Sequence, residues 1–436
     1  MKVTVEEVSE IQRRLTVEVP PEEVNKEFES AYNRLRPQVK VKGFRRGKAP
    51  NSILAREYGP EITQEVVTNL VVSTLSKAVE EVDGELLLKP QVESTGEVKE
   101  GSAFRYTALL DLWPRFELPQ YKGLRLERPS VEVTDHEVEE QLESLRKHFS
   151  VIDELEEERP VEKGDVAVVS YTAFIDGQEV EELAEEGYYL EVGSGNLHKK
   201  VEEALLGASK GEERVVTVSY PEDAINARVA GKEVEYRVVV KEIKRRVLPD
   251  LDDGFAAQVN PSFETLDQLK ERLREQIRRD KEEAAQRAVV RQLLDQIVDS
   301  CDFPVPERLI QSKLDQMVDN IRAHFEERGV EFERAGISVE RLRQNMREDA
   351  IEQIKTEMVL DRIAEKEGIS LSDDEIDRYV ADYAARSGLR REDVEQAVLL
   401  HVLPKLIANK TVNYLLEQSE IVDVPERQEC SEEEAA

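Results

Sequence analysis

The chain has 436 residues, a formal net charge of −33 at pH 7 and an isoelectric point near 4.7. Its length is enough for about three domains, and its acidity argues against broad binding to nucleic acids or anionic membranes. No run of the sequence approaches the ~18 apolar residues that a membrane-spanning helix needs.

The N-terminal residues and the cysteine content favour a reducing compartment. The first ten residues, MKVTVEEVSE, are acidic and alternating, without the apolar core of an export signal. The two cysteines are Cys301 and Cys430, and the five histidines lack the spacing of metal ligands. We therefore expect a cytoplasmic protein without a disulfide framework, a metal or a cofactor.

Residues 1–114 combine strand and helix patterns and predict an α+β domain. Residues 1–20 alternate as strands do, and apolar residues at helical spacing follow from Val24 to Leu35. A second helix, interrupted at Gly59-Pro60, and a strand over 104–112 complete the predicted domain.

The middle of the chain predicts a linker and then a small β-rich domain. Residues 115–159 read as an extended linker with one helix, which begins at a capping box formed by Thr134 and Glu137. Residues 160–246 contain short strand patterns, and Asp176-Gly177 predicts a hairpin turn.

Residues 247–424 predict an all-α region, followed by an acidic tail over 425–436 that we expect to be disordered. Ser338 is a candidate cap for one continuous helix, and Ser372 begins a second capping box. Pro404 predicts a kink or break in the last helical stretch.

A basic loop stands out in this acidic chain. The segment from Val41 to Pro50 reads VKGFRRGKAP, and residues 31–56 contain no acidic side chain. Gly43 and Gly47 can shape a tight tip, because glycine adopts backbone angles that other residues avoid. Two interpretations are open: a solvated turn with Phe44 folded inward, or a docking tip that contacts phosphates and an apolar pocket or base.

The eight residues GFRRGKAP resemble the GFRxGxxP motif of the bacterial trigger factor family. The order of an α+β domain, a linker, a small β domain and a helical half is similar to that family over essentially the whole chain. The resemblance implies a ribosome-associated chaperone whose loop docks beside the nascent-chain exit, on a large-subunit protein and adjacent ribosomal RNA. The docking residues implied by position are Lys42, Gly43, Phe44, Arg45, Arg46, Gly47 and Lys48.

The β-rich segment resembles an FKBP-type prolyl isomerase. The matching motifs are Tyr171-Thr172, Asp176-Gly177, Gly193-Ser194-Gly195, Lys210-Gly211-Glu212 and Tyr220-Pro221-Glu222. Such a domain lowers the ~18–20 kcal/mol barrier of amide rotation by holding proline in an apolar, aromatic pocket, without a nucleophile or metal. The pocket residues implied by the resemblance are Tyr171, Val180, Glu181, Tyr188, Val192, Leu197, Val201, Ala224 and Tyr236.

The implied pocket departs from the family pattern at three positions. Val180, Val201 and Ala224 stand where the family usually has aromatic rings, and Lys199 and Lys200 add charge near the rim. The substitutions leave two interpretations: a weak isomerase, or a β domain kept for substrate contact or spacing.

The helical half has Leu, Ile and Met residues at helical spacing, a pattern that usually indicates buried core. Met317, Met346 and Met358 would also suit the adaptable binding of varied chains. The family resemblance implies paired helical arms that cradle nascent and unfolded polypeptides, no membrane partner, and a homodimer away from the ribosome.

Three other functions fit parts of the sequence. A dedicated prolyl isomerase would use the other domains only for delivery, but the missing aromatic residues count against it. An RNA-binding adaptor would use the basic loop, but the remaining surface is acidic. A chaperone of an export compartment is disfavoured by the N-terminal sequence and by the loop.

Overall fold

The computed structural model describes residues 1–155, 159–180, 183–222, 224, 228–329, 332, 337–392, 394, 398 and 402–425. The chain forms two compact units. The first contains Met1–Pro119, Val298–Lys313 and Asp349–Arg362, and the second contains the remaining described residues. The predicted pocket residue Glu181, the second cysteine and the predicted tail from 426 onward lie outside the described residues.

The first unit is built on a four-stranded antiparallel sheet. Its strands are β1 (Lys2–Ser9), β2 (Gln12–Val19), β3 (Gln91–Thr95) and β4 (Phe104–Asp111), in the order β1-β2-β4-β3. Alternate residues of β2 and β4 are buried, as the alternation of the sequence predicts. With the two helices described next, this sheet confirms the predicted α+β fold class of the N-terminal part of the chain.

Two helices supply the other half of this core. They are α1 (Pro21–Leu35) and α2 (Asn51–Val79). The predicted interruption at Gly59-Pro60 is a kink within α2, where Tyr58 leaves helical geometry at φ −130° and ψ 20°. Proline removes one backbone donor and crowds the preceding turn, which explains the kink. Buried core residues include Leu15, Val17, Val19, Val24, Phe28, Leu54, Ile62, Val66, Phe104 and Tyr106.

A buried carboxylate joins the N-terminal sheet to a distant part of the sequence. Asp111, at the end of β4, has 0% exposure, and its Oδ2 lies 2.5 Å from Nη1 of Arg308. Its Oδ1 accepts a hydrogen bond of 2.8 Å from the Gln12 amide. Nearby, the rings of Phe116 and Phe303 stack with centroids 4.2 Å apart. The helical half of the chain therefore contributes residues to the first unit.

The second unit contains a six-stranded sheet. Its strands are β6 (Val151–Glu154), β7 (Val166–Ile175), β8 (Gln178–Glu179), β9 (Glu185–Glu191), β10 (Glu213–Ser219) and β11 (Glu233–Val247). A short helix, α4 (Lys199–Leu205), packs on β10. Asp176 and Gly177 both have positive φ, so the predicted hairpin turn is confirmed. Strand β6, which pairs with the end of β11, was not predicted from the sequence.

The remaining helices are α3 (Asp135–His148), α5 (Asp253–Val259), α6 (Leu266–Val298), α7 (Glu307–Glu327), α8 (Val339–Asn345), α9 (Arg347–Glu367), α10 (Asp373–Ser387) and α11 (Leu403–Glu417). The capping boxes at Thr134 and Ser372 are both present. Within the described residues, no helix is long and apolar enough to cross a membrane.

Two helical predictions need correction. The continuous helix expected after Ser338 is divided into α8 and α9 at Met346, whose ψ of 0° breaks the helical backbone. The break predicted at Pro404 agrees with the structure, because α11 begins at Leu403 with Pro404 in its first turn, where no backbone donor is needed. Residues Glu420–Val424 form strand β12 and are not helical.

Strand β12 pairs with a segment almost 300 residues earlier. It lies parallel to β5 (Arg125–Pro129), with Glu420 opposite Arg125. The outer edge of β5 is also occupied, since the Glu127 N–H donates to Gln292 of α6. The helical prediction failed here because strand pairing depends on a partner that local sequence does not reveal.

A second carboxylate, Glu367, joins distant segments of the chain within the second unit. The Glu367 carboxylate accepts hydrogen bonds from the Tyr121 and Tyr414 hydroxyls, at 2.8 and 2.6 Å, and pairs with Lys122 at 2.7 Å. The Lys122 ammonium and the two tyrosine hydroxyls hold the pKa of Glu367 at about 2. The extended segment after residue 119 is therefore tied to α9 and α11.

We expect Arg308→Leu to destabilise the first unit by about 3 kcal/mol or more, because it leaves the fully buried Asp111 carboxylate without its ion partner. Urea unfolding can be followed by the fluorescence of Trp113, the single tryptophan of the chain, which lies in that unit. Arg56→Leu is the matched control in the same unit, since both partners of the Arg56–Glu57 pair are exposed and contribute at most about 1 kcal/mol. Equal effects of the two substitutions would contradict the assigned role of Asp111.

Candidate functional site

The basic loop between α1 and α2 consists of two consecutive turns. The Phe44 N–H donates to the Val41 carbonyl at 3.2 Å, and the Lys48 N–H donates to the Arg45 carbonyl at 3.0 Å. Gly43 and Gly47 have φ of 91° and 79°, a region that side chains with a Cβ rarely adopt. The two glycines therefore determine the shape of the tip.

The two ends of the loop are fixed to the core of the first unit. Ala49 is buried, and Val41 packs against the same hydrophobic cluster. The Arg46 Nε donates to the Pro37 carbonyl at 2.8 Å, and Arg36 bridges Asn33 of α1 and Asn51 of α2. These contacts hold both ends of the loop in place.

The tip exposes an aromatic ring among cations. The Phe44 side chain is 41% exposed, so the inward-folded alternative is not the observed conformation. Arg34 and Arg56, at the flanks, pair with glutamates. Among the residues that the structure describes, the cations at the tip have no acidic partner within 4 Å. They are Lys42, Arg45, Arg46 and Lys48.

In the β domain, most of the implied pocket residues share one cluster. The Tyr171 ring meets Tyr188 edge-on at 6.1 Å and Tyr236 at 6.4 Å. Leu197, Val192 and Val201 belong to the same cluster. Burial raises the pKa of Tyr171 to about 12, so its hydroxyl stays protonated and donates to Glu185.

The other implied pocket residues lie apart from this cluster. Val180 packs in a neighbouring cluster that shares Tyr236. Ala224 is in neither cluster, and its carbonyl accepts a hydrogen bond of 2.9 Å from Arg341 of α8. Lys199 and Lys200 are exposed at the start of α4.

Tyr220 was not among the implied pocket residues, although it packs with them. Its ring packs in both clusters, and its hydroxyl lies 3.0 Å from that of Tyr236. His198 meets the Tyr220 ring at 5.9 Å. The sequence contained a signal for this residue, because an aromatic side chain directly precedes Pro221 in the quoted motif.

Glu202 organises the glycine-containing loop next to the pocket. Its side chain is 4% exposed and accepts backbone hydrogen bonds from Gly193, Gly195 and Leu197 at 2.9–3.1 Å. Three donors on one buried carboxylate compensate for its desolvation. The segment 193–197 is thus a loop held in place by the Glu202 side chain of α4.

The methionines of the helical half differ in accessibility. Met358 is 3% exposed and belongs to the core, so the interpretation of this residue as a client contact is wrong. Met317 and Met346 are partly exposed. Larger exposed apolar side chains lie at the end of α10, where Tyr383 is 44% exposed and Leu389 is 56% exposed.

Family models match three successive parts of the chain. Residues 1–145 match the model described as bacterial trigger factor protein, and residues 265–417 match the model of its C-terminus. Residues 157–241 match FKBP-type peptidyl-prolyl cis-trans isomerase. A trigger factor from Halothermothrix orenii is 33% identical over 430 residues, which cover 96% of this chain and 100% of the relative. The chain belongs to the trigger factor family.

Other members of the trigger factor family agree with this membership. The Pelotomaculum thermopropionicum protein is 34% identical, covering 97% of this chain and 98% of its own length. A solved structure of the trigger factor chaperone is 22% identical and covers 96% of this chain and 99% of that one, with a TM-score of 0.45. The family models and the two relatives confirm the predicted family and its chaperone role, and the sheets and helices described above confirm the multidomain fold class.

We expect Glu202→Gln to loosen residues 193–197. The amide offers one acceptor oxygen in place of two and adds a donor, so the loop should lose about 1.5–3 kcal/mol of local stability. Hydrogen exchange measured by mass spectrometry should be faster at the Gly193, Gly195 and Leu197 amides. Glu203→Gln is the control, because Glu203 is the exposed neighbour. Unchanged exchange in Glu202→Gln would contradict this role.

Proposed function

We propose that this protein acts in the cytoplasm as a ribosome-associated chaperone that docks through the loop Val41–Pro50 and receives nascent polypeptides. The observation that carries the proposal is the exposed Phe44 ring between cations that lack acidic partners among the described residues. Exposure of an aromatic ring to water is unfavourable in the free protein. A partner pocket that buries the ring therefore gains the hydrophobic free energy of its burial.

The loop suits a partner that combines protein and RNA. Cations without acidic neighbours can contact phosphates and release counterions, whereas the ring needs an apolar pocket or a base to stack on. A large-subunit ribosomal protein beside ribosomal RNA offers both chemistries. The charge of −33 on the whole chain makes this contact local, because the remaining surface repels phosphates.

Client contact is assigned to the helical half. Tyr383 and Leu389 expose apolar area at the end of α10, and the Tyr379 and Tyr383 rings stack at 6.5 Å. Aromatic rings on a charged helix can bind extended apolar segments without demanding one sequence. We assign these side chains, with Met317 and Met346, to the holding of unfolded chains and to assistance in folding and export.

Prolyl isomerisation is a second, weaker activity in this proposal. Tyr171, Tyr188 and Tyr236, joined by Tyr220, form an aromatic wall in the FKBP-type domain. Val180, Val201 and Ala224 stand where the family usually has aromatic rings. Less apolar area is therefore available to hold proline. The domain would then serve both as a weak catalyst and as a client contact.

The docking assignment predicts that Phe44→Ala with Arg45→Ala and Arg46→Ala lowers ribosome affinity by at least about 100-fold, because one buried ring and two charge contacts are lost. Co-sedimentation with ribosomes at moderate salt measures the effect. Binding by the unmodified protein should also weaken as salt rises, since part of it is phosphate contact.

The control for the docking variant is Val72→Ala with Lys77→Ala and Lys89→Ala. These substitutions also remove one exposed apolar side chain and two exposed cations from the first unit. The control should bind ribosomes like the unmodified protein. Undiminished binding of the loop variant would refute the docking assignment.

The pocket assignment predicts slow catalysis of X-Pro rotation, well below that of a domain with a complete aromatic pocket. Tyr171→Ala should reduce the remaining rate by about tenfold, because it removes the ring that contacts two others. Exchange NMR on a short X-Pro peptide measures the rate with the full chain.

Tyr189→Ala is the control for the isomerase test. Tyr189 is 55% exposed on β9, next to Tyr188 in sequence but on the opposite face of the strand. It should leave the rate unchanged. A rate equal to that of a complete aromatic pocket, or equal effects of the two substitutions, would refute the assigned set of rings.

A further inference from the structure

Two tyrosine hydroxyls form a hydrogen-bonded pair in the aromatic cluster of the β domain. The Tyr220 and Tyr236 oxygens lie 3.0 Å apart, and both side chains are half-buried. Each ring packs in two hydrophobic clusters, one that contains Tyr171 and Tyr188 and one that contains Val180. The hydroxyl pair therefore lies where the two clusters meet.

The pair retains one hydroxyl proton that the described protein does not use. Each tyrosine hydroxyl has one proton, and the contact between the two oxygens uses only one of the two. Within the described part of the chain, neither hydroxyl has a second hydrogen-bond partner. Tyr171 differs, because its hydroxyl donates to Glu185. One O–H of the pair can therefore donate to a ligand.

The remaining O–H is a stronger donor than the hydroxyl of an isolated tyrosine. An oxygen that accepts a hydrogen bond has its own O–H polarised, and this effect is larger where bulk water is partly excluded. Burial and the contact with Tyr220 raise the pKa of Tyr236, so its hydroxyl stays protonated at neutral pH. Both rings are fixed by packing, so little conformational entropy is lost when a ligand binds.

The pocket has gained polar character where it has lost apolar area. Val180 and Val201 stand where the family usually has aromatic rings, and each shares a cluster with Tyr220 and Tyr236. Fewer rings give less apolar contact with a bound proline. A fixed hydroxyl donor in the same clusters offers a hydrogen bond in its place.

The chemistry of amide rotation decides which atom of a prolyl peptide suits this donor. A hydrogen bond to the carbonyl oxygen before proline would stabilise the planar, resonant amide and so oppose rotation. The carbonyl oxygen of proline itself lies outside the rotating bond. A donor that binds this oxygen can hold the proline residue in place while the preceding residue turns.

We propose that the Tyr220–Tyr236 hydroxyl pair binds the backbone carbonyl oxygen of the substrate proline, a role that rests on the isomerase activity proposed above. The hydrogen bond offsets part of the apolar contact that is missing at Val180 and Val201. Because this contact is the same in the planar and the twisted amide, it lowers KM and leaves kcat unaltered.

The double variant Tyr220→Phe with Tyr236→Phe tests the pair in the full chain. It keeps both rings and removes both hydroxyls together, which costs little stability because no unpaired polar group is left. The probe is the peptide acetyl-Ala-Ala-Pro-Phe-amide, whose affinity is measured by NMR titration and whose rotation is measured by exchange NMR. We expect Kd and KM to rise about three- to tenfold while kcat stays within about twofold.

The single variants separate a ligand donor from a structural contact. Tyr220→Phe and Tyr236→Phe each leave one hydroxyl with its own proton but without the polarising partner, so each should raise KM by less than the double variant does. A purely structural role would instead lower stability, which hydrogen exchange in β10 and β11 measures. Tyr189→Phe is the control, because Tyr189 is exposed on β9, and it should leave KM unaltered.

A second peptide tests the assigned atom. In this peptide the carbonyl oxygen of proline is replaced by sulfur, which is a weaker hydrogen-bond acceptor. The unmodified protein should bind the sulfur peptide more weakly than the oxygen peptide. The double variant should bind the two peptides equally, because it has no hydroxyl to distinguish the two acceptors.

Equal affinity of the unmodified protein and the double variant for the oxygen peptide would overturn the assigned role. A full effect from one single variant, or a change in kcat alone, would also overturn it. If the unmodified protein binds the peptide without accelerating its rotation, and the double variant weakens that binding, the isomerase function fails and the hydroxyl pair stands as a binding group. Absence of peptide binding would overturn both.

Discussion

The buried carboxylate of Asp111 is the constraint on which the first unit depends. A charge with 0% exposure needs a partner, because its desolvation costs several kcal/mol that only a close opposite charge and hydrogen bonds offset. Arg308 supplies that charge from almost 200 positions later in the chain, and Gln12 supplies an amide. The N-terminal sheet is therefore complete only when the segment Val298–Lys313 lies against it.

This anchored unit carries the loop that we propose as the docking element. The loop gains its shape from Gly43 and Gly47 and its fixed ends from the burial of Ala49 and Val41. The Phe44 ring is exposed at the tip of this loop. In the proposed docking, the cations around the ring, which lack an acidic partner among the described residues, would add a salt-sensitive attraction for phosphate.

In the β domain, as in the first unit, one set of residues holds a loop in place and another set forms the candidate binding surface. Glu202 holds residues 193–197 through three backbone donors. The Tyr220 hydroxyl lies 3.0 Å from that of Tyr236, so Tyr220 extends the aromatic cluster. In the proposed weak isomerase, this scaffold is kept while the apolar surface offered to proline is smaller.

Local chemistry determined much of this protein from the sequence alone. The capping boxes at Thr134 and Ser372 and the hairpin at Asp176-Gly177 involve partners within three or four residues, so the sequence predicts them and the structure agrees. The GFRRGKAP motif likewise identified the family. Tertiary structure alone decided the outward direction of Phe44, the burial of Met358 and the pairing of β12 with β5. The partner of β12 lies almost 300 positions earlier in the chain, and the exposure of Phe44 and the burial of Met358 depend on how the folded chain packs, which local patterns do not encode.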